Sequence, residues 1–570
     1  MGSQVKSLAL ILVLSLSLIS ASLISDAGEA SEAIAGQETM TILFDQDPIR
    51  IDGDSDLASL KVSGICTGNG TIADPYIIQG LRIDAAGQGN AMFIGNTTAH
   101  IIVRDCTLLG ASVLSSPYLD GCALTVYNAR NVSLMDLSCN GSSSGIHLVR
   151  SGDCMLARNT CTENDDCGIY LDESHDNILS ENICDDNTND GIRLDDSTRN
   201  EISANRCNNN TIYVGIYFLR SHQNLISVNT CNGNGHSNIY LERSNANMVE
   251  NNTCRESVNF YGICSETSGL NHISNNTCVG NNWYGIYLNR TGNDSVIGNL
   301  CTDSGYSGIF VGSSDNATIS GNRCNGNNDG IYLSESNNNH LSANDCSSNV
   351  NYSIYLKLSS NNNTVVGNDC LGSDRHGIYL NVSCAGNLVM GNDCTGDRSG
   401  IHLNNSCIGN RIENNSVQGD GRYGIHLRLS DDNEIVNNTI TGSTSYGIII
   451  NGSNRNLLVG NRLVGNNGAT EVWNEQHVQA SDDGANSWNA SYGNLWGDWT
   501  APDDDQDGFV DQGYFLDGGS GLDMRPLSTV EAAGDAGPGM IILAILGVIA
   551  TMFVMAYLIN LRMGRRKGRE

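Results

Sequence analysis

A four-residue signature recurs through the middle of this chain of 570 residues and constrains its fold more than any other feature. Isoleucine holds the second position in all fourteen copies, and successive copies are 22 to 24 residues apart. The copies begin at Gly145, Gly168, Gly191, Gly215, Asn238, Gly262, Gly285, Gly308, Gly330, Ser353, Gly377, Gly400, Gly424 and Gly447. A fixed period of this length indicates stacked structural units, each of which buries its apolar face against its neighbours.

The apolar residues of each repeat form short alternating triplets of the Ile-x-Leu type, separated by Gly, Asn, Asp and Ser. Alternation bounded by turn residues is typical of strands, and no long amphipathic run supports a helical repeat. Short strands that recur with one period stack in parallel, and parallel connections are overwhelmingly right-handed. The sequence therefore predicts an all-β, right-handed parallel β-helix of about sixteen turns, in which Ala91–Ile94 and Ala123–Val126 belong to earlier, irregular turns.

Two further columns run in phase with the signature. One is asparagine: Asn159, Asn182, Asn205, Asn229, Asn252, Asn276, Asn299, Asn322, Asn344, Asn368, Asn392, Asn415, Asn438 and Asn461. The other is cysteine: Cys106, Cys139, Cys161, Cys184, Cys207, Cys231, Cys254, Cys278, Cys301, Cys324, Cys346, Cys370 and Cys394. Val417, Ile440 and Leu463 continue the cysteine column, so we expect it to point inward as small hydrophobes. The asparagine column has the same parity and should form an interior amide ladder.

The cysteine column is an unfavourable site for disulfides, because in-register Cβ atoms of stacked turns lie farther apart than a disulfide prefers. A linear, enclosed column is also an unfavourable copper site, because metal ligands must converge. Seven cysteines lie outside it: Cys66, Cys122, Cys154, Cys167, Cys264, Cys384 and Cys407. Cys384 and Cys407 stand at equivalent places on neighbouring turns and are the candidate disulfide.

The two ends of the chain predict its compartment. Lys6 precedes an apolar run and small residues follow it, which is typical of a secretory signal peptide, with an uncleaved anchor as the alternative. A charge-free stretch of twenty residues near the other end is long enough to span a membrane, and the arginine-rich tail after it should stay in the cytoplasm. The predicted segments are 1–27 signal peptide, 28–89 lead-in and cap, 90–465 β-helix repeats, 466–527 C-terminal cap, 528–539 linker, 540–559 transmembrane helix and 560–570 cytoplasmic tail.

Charge limits the partners of this chain. It carries 30 basic and 62 acidic residues, a net charge of −32, so it lacks the clustered cations that nucleic acids require. Eighteen N-x-[ST] sequons permit glycosylation of an exported protein, among them Asn96, Asn131, Asn289, Asn381 and Asn489. We expect the partners to be the membrane, through the C-terminal helix, and polysaccharide or other components of the cell envelope.

In the Ile-x-Leu triplet of each signature, the middle residue should point outward, since the first and third residues point inward. Eleven of the fourteen are aromatic or histidine. The candidate ligand-binding residues are Tyr170, Tyr217, Tyr240, Tyr287, Phe310, Tyr332, Tyr355, Tyr379, His402 and His426. Two interpretations are open, because such rings stabilise a sheet by stacking between turns and also offer a platform for sugar rings.

An acidic loop near the C-terminal end predicts a calcium site. Asp503, Asp505 and Asp507 alternate and precede a glycine, and Asp511 follows at the ninth position, as in the first part of a calcium-binding loop. Tyr514 stands where a helix–loop–helix site has a bidentate glutamate, so we expect a shorter loop. A solvated acidic loop without a metal is the alternative.

Catalytic groups are less clearly marked. Four pairs of adjacent aspartates could serve glycoside hydrolysis, but aspartate is also common at turns; the pairs are Asp165–Asp166, Asp185–Asp186, Asp195–Asp196 and Asp431–Asp432. His402 and His426 lie in one column near His376, and stacking explains them better than a metal does. We therefore expect no enzymatic activity as the first interpretation.

Three segments carry a family resemblance. They are Gly68–Thr71 with Asp74–Ile78, the run of repeats, and Gly493–Trp499 with the acidic loop after it. Together they cover most of the predicted ectodomain and resemble archaeal cell-surface members of the NosD-like, carbohydrate-binding β-helix family. The resemblance implies an extracellular β-helix. The bacterial namesake assists copper-site maturation of a periplasmic reductase, but no residues here resemble a copper site.

The sequence thus leaves three functional hypotheses. The first is a membrane-anchored structural or glycan-binding protein of the cell envelope. The second is a polysaccharide lyase, epimerase or hydrolase. The third is an accessory protein for maturation of a copper site.

Overall fold

The computed structural model describes residues 43–112, 121–395, 398–419, 421–519 and 521–528. Within these ranges the chain forms a right-handed parallel β-helix of about 16 turns, which confirms the predicted fold. No helix in the described ranges is long and apolar enough to span a membrane. The predicted signal peptide 1–27, transmembrane helix 540–559 and tail 560–570 lie outside the described residues.

Three columns of short parallel strands wind along the coil. Sheet 1 contains the signature residues, and each strand pairs with its equivalent on the next turn, as Ile146 does with Ile169. Its strands are Ile49–Asp52, Met92–Gly95, Cys122–Tyr127, Ser144–Val149, Ile169–Asp172, Ile192–Asp195, Ile216–Leu219, Ile239–Glu242, Tyr261–Glu266, Tyr284–Asn289, Ser307–Gly312, Asp329–Ser334, Tyr352–Lys357, His376–Asn381, Ser399–Asn404, Tyr423–Arg428, Ile448–Asn451 and Ala480–Asp482.

Sheet 2 follows sheet 1 in each turn and is parallel except at its first strand, which pairs antiparallel with the second. Its strands are Cys66–Thr67, Tyr76–Gln79, Ile101–Arg104, Val132–Met135, Met155–Ala157, Ile178–Ser180, Glu201–Ser203, Leu225–Ser227, Met248–Glu250, His272–Ser274, Ser295–Ile297, Thr318–Ser320, His340–Ser342, Thr364–Val366, Leu388–Met390, Arg411–Glu413, Glu434–Val436 and Leu457–Val459.

Sheet 3 contains the cysteine column and is interrupted where turns are joined only by isolated bridges, such as Thr160↔Ile183 and Asp345↔Asp369. Its strands are Phe44–Gln46, Leu81–Asp84, Thr107–Leu109, Ser138–Asn140, Thr230–Asn232, Thr253–Arg255, Thr277–Val279, Leu300–Thr302, Asp393–Thr395, Ser416–Gln418, Thr439–Thr441, Arg462–Val464 and Leu495–Trp496. The other elements are the α-helix Asp54–Val62, the 3₁₀ turn Asn466–Gly468 and the antiparallel pair Tyr514–Phe515 and Leu522–Asp523.

The core runs inside the coil as continuous columns. The Ile and Leu of each signature are fully buried, and all thirteen cysteines of the predicted column are buried as well, which confirms its inward direction. Burial raises the pKa of the Cys207 thiol well above its ordinary value, so it stays neutral and packs as a hydrophobe. Cys384 and Cys407, the candidate disulfide, are buried free thiols in the structure.

The predicted asparagine ladder is present in the interior. Asn182, for example, donates from its backbone N–H and from Nδ2 to Oδ1 of Asn205 on the next turn, at 2.9 Å each. Its Nδ2 also donates to the carbonyl of Leu156 at 2.9 Å. The amide groups therefore satisfy one another at the corner between sheets 2 and 3, where the backbone cannot continue a sheet ladder.

The structure adds ladders that sequence analysis missed. Asn177 and Asn200 belong to a second asparagine ladder between sheets 1 and 2, and Asn164 and Asn187 belong to a third after sheet 3. A serine ladder follows sheet 1, where the backbone N–H of each turn donates to the next serine Oγ. The same 22-to-24-residue spacing in the sequence could have revealed all three.

The segments assigned to the caps contribute strands of their own. Ile49–Asp52, within the predicted lead-in, pairs with Met92–Gly95 and begins sheet 1, and the helix Asp54–Val62 follows it. Within the predicted C-terminal cap, Ala480–Asp482 extends sheet 1 and Leu495–Trp496 extends sheet 3. The coil thus extends at both ends beyond the residues that carry the regular signature.

Candidate functional site: the aromatic face of sheet 1

The middle residues of the signature lie on the outer face of sheet 1 in one in-register column, which we call the aromatic face. Their rings stack from turn to turn. Tyr332 to Tyr355, Tyr355 to Tyr379, Tyr379 to His402 and His402 to His426 have ring centroids 4.8, 5.1, 5.0 and 4.3 Å apart. Tyr287 and Phe310 form a similar pair at 5.2 Å. The stacking interpretation is therefore confirmed for this column.

The column is far less open to solvent than an outward stripe on a bare sheet would be. Tyr217 is 4% exposed, and Tyr355, Tyr379 and His402 are 8% exposed. A second set of rings covers this column. These rings belong to residues one or two positions before the start of the signature. This flanking column was missed in the sequence and consists of Tyr213, His236, Phe260, Tyr261, Trp283, Tyr284, Tyr306, Tyr352, His376 and Tyr423.

The flanking column presents the accessible aromatic surface. Trp283 is 38% exposed and Tyr306 is 51% exposed, and their ring centroids are 5.9 Å apart. Phe260 lies 4.7 Å from Trp283 on the preceding turn. The signal in the sequence was an aromatic residue two positions before the signature in five successive turns, beginning at Tyr213 and ending at Tyr306.

The partners of the tyrosine hydroxyls change chemistry along the face. In the N-terminal turns they are carboxylates: Tyr217 donates to Glu242 at 2.7 Å and Tyr240 donates to Glu266 at 2.5 Å. Tyr170 donates to Asp195 in the same way. In later turns they are amides, since Asn381 and Asn404 donate to the hydroxyls of Tyr355 and Tyr379 at 3.3 and 3.1 Å. The tyrosine hydroxyls therefore meet charged carboxylates in the N-terminal turns and neutral amides in the later turns.

The three histidines at the C-terminal end of the face are in ring contact and neutral: His402 stacks on His426, and His376 meets His402 edge-on. His402 Nδ1 lies 3.2 Å from His376 Nε2. Burial lowers the pKa of His376 to about 3, of His402 to about 2 and of His426 to about 4. Within the described ranges, His402 Nε2 and His376 Nδ1 are buried without a hydrogen-bond partner.

A buried carboxyl lies beside the same face. Asp329 is 9% exposed, and its Oδ1 has no hydrogen-bond partner among the described residues. Burial raises the pKa of Asp329 to about 7, although the backbone N–H of Tyr352 and the charge of Arg375 oppose this. Asp190 occupies the equivalent position several turns earlier, and burial raises its pKa to about 8. Both carboxyls change charge near neutral pH.

The acidic loop brings three of its four predicted calcium ligands together. Asp503, Asp505 and Asp507 each place a carboxylate oxygen within 4.8 Å of the others, and they form the one such group of metal-ligating residues in the described ranges. Asp511 is not part of this group, because its Oδ2 accepts a hydrogen bond from the backbone N–H of Asp504 at 2.8 Å. Tyr514 is buried, and its hydroxyl bonds Asp498.

Several of the paired aspartates belong to ion pairs between turns. Asp196 pairs with Arg220 and Asp432 pairs with Arg455, at 2.7 Å each. Asp185 pairs with Arg206 at 2.6 Å. These contacts favour the structural interpretation of the pairs, because the carboxylates serve neighbouring turns.

Comparison with solved structures finds matches of low sequence identity and low structural similarity. The mannuronan C-5 epimerase AlgE6 A-module of Azotobacter vinelandii is 14% identical with a TM-score of 0.34, over 71% of this chain and 91% of that chain. The Dettilon tailspike protein is 16% identical with a TM-score of 0.38, over 57% and 64%. The tailspike protein of Escherichia coli bacteriophage HK620, in complex with a pentasaccharide, is 11% identical with a TM-score of 0.33, over 64% and 71%.

No curated protein matches this sequence. The model of one protein family, described as periplasmic copper-binding protein (NosD), matches it at residues 83–252, 200–309, 234–376 and 359–501. These overlapping matches span the repeats and the beginning of the C-terminal cap, which is more than half of the chain. The chain therefore belongs to the NosD family.

Proposed function

We propose that this protein is a membrane-anchored, exported β-helix that binds polysaccharide of the cell envelope along the outer face of sheet 1. The observation that carries the proposal is the double column of rings, with accessible aromatic surface at Trp283 and Tyr306 and polar groups along its edges. Flat aromatic surface with a polar edge suits sugar rings and needs little ordering on binding. The apolar stretch 540–559 and its basic flank support the membrane anchor.

Replacing the exposed rings tests this proposal better than replacing the buried ones. Trp283→Ala with Tyr306→Ala should abolish binding to the polysaccharide while the melting temperature stays nearly unchanged, because both rings are substantially exposed. Ile178→Ala with Met248→Ala is the matched control, since these side chains are equally exposed on the outer face of sheet 2. Binding would be measured on a glycan array and then in solution.

Replacing Tyr332, Tyr355 and Tyr379 by threonine examines the stacked column instead. These tyrosines are largely buried, and we expect a clear loss of stability on top of any effect on binding. The proposal is wrong if the wild-type protein binds no polysaccharide, or if the double variant at Trp283 and Tyr306 binds as well as the control.

A second candidate function is chemistry on an acidic polysaccharide, and Asp329 favours it. A buried carboxyl with a raised pKa, close to the charge of Arg375, is the kind of group that transfers protons at neutral pH. Incubating the protein with acidic polysaccharides and following chain cleavage, unsaturated products and epimerised residues would reveal such activity. Activity that survives Asp329→Asn would remove Asp329 from this role.

The family description implies copper, but the described residues do not fit that metal. Copper prefers thiolate, thioether or imidazole ligands that converge on one point. The thiols here form an enclosed core column, and the converging group in the described ranges consists of three carboxylates, which suit hard cations. We therefore derive no step that involves copper.

A further inference from the structure

Three arginines form a column at the edge of the aromatic face. Arg375, Arg398 and Arg422 occupy the position two residues before the signature in three successive turns. The backbone N–H of Ser399 donates to the carbonyl of Arg375, and that of Arg422 donates to the carbonyl of Arg398. One arginine is thus presented per turn, with neighbouring backbones about 4.8 Å apart. The same position carries the flanking rings, including Trp283 and Tyr306, in earlier turns.

These arginines differ from most others in the protein. Elsewhere an exposed arginine commonly pairs with an acid on a neighbouring turn, as Arg199 does with Asp176 at 2.7 Å. None of the three forms an ion pair with a described residue. Arg375 has a 3.5 Å hydrogen bond to the hydroxyl of Tyr352, and Arg422 lies over the ring of Tyr423 at 4.9 Å.

Among the described residues, the carboxyl groups near the arginines form no ion pairs with them. Asp374, next to Arg375 in the chain, is exposed and forms no ion pair in the described ranges. The carboxyl of Asp329 acts on Arg375 electrostatically but forms no ion pair with it. In a chain with a net charge of −32, a column of three arginines that form no ion pair with a described residue favours an anionic partner.

The opposite edge of the face changes sign at the same turns. The residue that ends each signature strand is acidic at Asp172, Asp195, Glu242 and Glu266 in the N-terminal turns. In the C-terminal turns the same column contains Lys357 and Arg428. Lys357 Nζ lies 5.9 Å from the ring centre of Tyr355, and Arg428 donates to Asn404 at 3.1 Å. Between them in the column stand Asn381 and Asn404, so this edge carries two cations and two neutral amides in place of the earlier carboxylates.

Between these edges lie the flanking rings of Tyr352, His376 and Tyr423, which pack over the stacked rings of Tyr355, Tyr379, His402 and His426. We call this region the basic trough: Arg375, Arg398 and Arg422 on one edge, Lys357 and Arg428 on the other, and the ring stack between them. Its histidines are neutral, and the Nε2 of His402 is buried without a partner in the described ranges.

We propose that the basic trough binds a linear polyuronate, a polysaccharide with a carboxylate on each sugar. A guanidinium group matches a carboxylate with two parallel hydrogen bonds, and a column of guanidinium groups suits a chain that carries regularly spaced carboxylates. The flanking rings of Tyr352 and Tyr423, which are only partly buried, suit the sugar rings of the same chain. This inference rests on the proposed function and names the ligand class of the same face.

Polygalacturonate and its fully methyl-esterified form test the proposal, because they share one backbone and differ in charge. The full-length protein in detergent should bind the free acid at least tenfold more tightly than the ester, with an affinity that falls as salt rises. The variant Arg375→Gln, Arg398→Gln, Arg422→Gln should lose most of this binding. The control variant Arg199→Gln, Arg220→Gln, Arg455→Gln removes equal charge from ion-paired sites and should bind as the wild type does.

The outcomes separate the two proposals. Equal binding of ester and acid, unaffected by the arginine variant, overturns the basic trough and leaves polysaccharide binding standing. Absence of binding to any polysaccharide overturns both. Equal binding of dextran sulfate shows a general anion site and overturns the assignment to carboxylates. The protein could instead self-associate through the three arginines and bind no polysaccharide. That result assigns the basic trough to a second copy of this acidic chain and overturns the proposal.

Discussion

Replacing Asn299 by alanine should locally destabilise the coil far more than its small change in volume suggests. Asn299 Oδ1 accepts hydrogen bonds from the backbone N–H and the Nδ2 of Asn276 at 2.9 and 3.0 Å. Its Nδ2 donates to the carbonyl of Ile273 at 2.9 Å and to Asn322 at 3.0 Å. All three asparagines are 1% exposed, so water cannot replace the lost partner.

The expected magnitude follows from the groups left without partners. Two buried donors of Asn276 lose their acceptor, and each unsatisfied buried group costs about 1–3 kcal/mol. We therefore expect a local loss of about 2–6 kcal/mol. Because stability in a stacked repeat is largely a sum over neighbouring turns, the effect should concentrate near Asn276, Asn299 and Asn322.

Hydrogen exchange read by mass spectrometry measures this local effect directly. Peptides that cover the three turns around Asn299 should exchange at least about 30-fold faster in the variant, and distant turns should be unchanged. Asn245→Ala is the matched control, because Asn245 is exposed on the coil surface and its substitution should change stability by less than about 0.5 kcal/mol. Equal protection in the two variants would refute the argument that the ladder stabilises the coil.

Three further predictions concern calcium, pH and topology. Calcium should raise the melting temperature of the C-terminal cap, and coincident melting with calcium and with chelator, or an unchanged response in Asp505→Ala, would count against a site there. The pKa of Asp329 is about 7 in the folded protein, against an ordinary value of 3.8. Ionisation of this carboxyl therefore lowers the stability of the folded protein as pH rises between those values. At pH 8 the unfolding free energy of Asp329→Asn should therefore exceed that of the wild type by up to about 4 kcal/mol. At pH 3 the two proteins should be equally stable. Identical dependence of stability on pH in the two proteins would contradict this. External protease on intact cells should release a large soluble fragment if 540–559 spans the membrane, and protection of the repeats would oppose that topology.

The fold of the repeats could be predicted from the sequence because, in a stacked coil, residues that pair between turns recur at a fixed spacing along the chain. Ile146 and Ile169 occupy equivalent positions one period apart, and the structure pairs them directly. Substitution of valine for cysteine at Val417 marked an inward column for the same reason. Equivalent residues in successive turns share one environment, so a column of one residue type reveals that environment.

The candidate site was predicted only in part. The outward direction of Tyr332, Tyr355 and Tyr379 follows from strand alternation, but their burial does not. The flanking rings come from residues such as Tyr352 that begin strands or precede them, and the curvature of the coil folds these side chains over the middle column.

Other features depended on three-dimensional contacts that no period reveals. The acidic loop spacing suggested four ligands, yet the fold turns Asp511 towards the backbone of Asp504. The raised pKa of Asp329 arises from the rings and strands that exclude water around it.

The sequence by itself therefore determined the coil, its core columns and the interior amide ladder, because these repeat at one period and each copy confirms the others. Only the tertiary structure decided which rings and which carboxyls are exposed to solvent, and that three arginines lie beside a ring stack without an ion pair to any described residue. Those properties depend on which side chains meet between one turn and the next. These side-chain contacts are set by the path of the backbone around each corner, which the residue pattern alone does not specify.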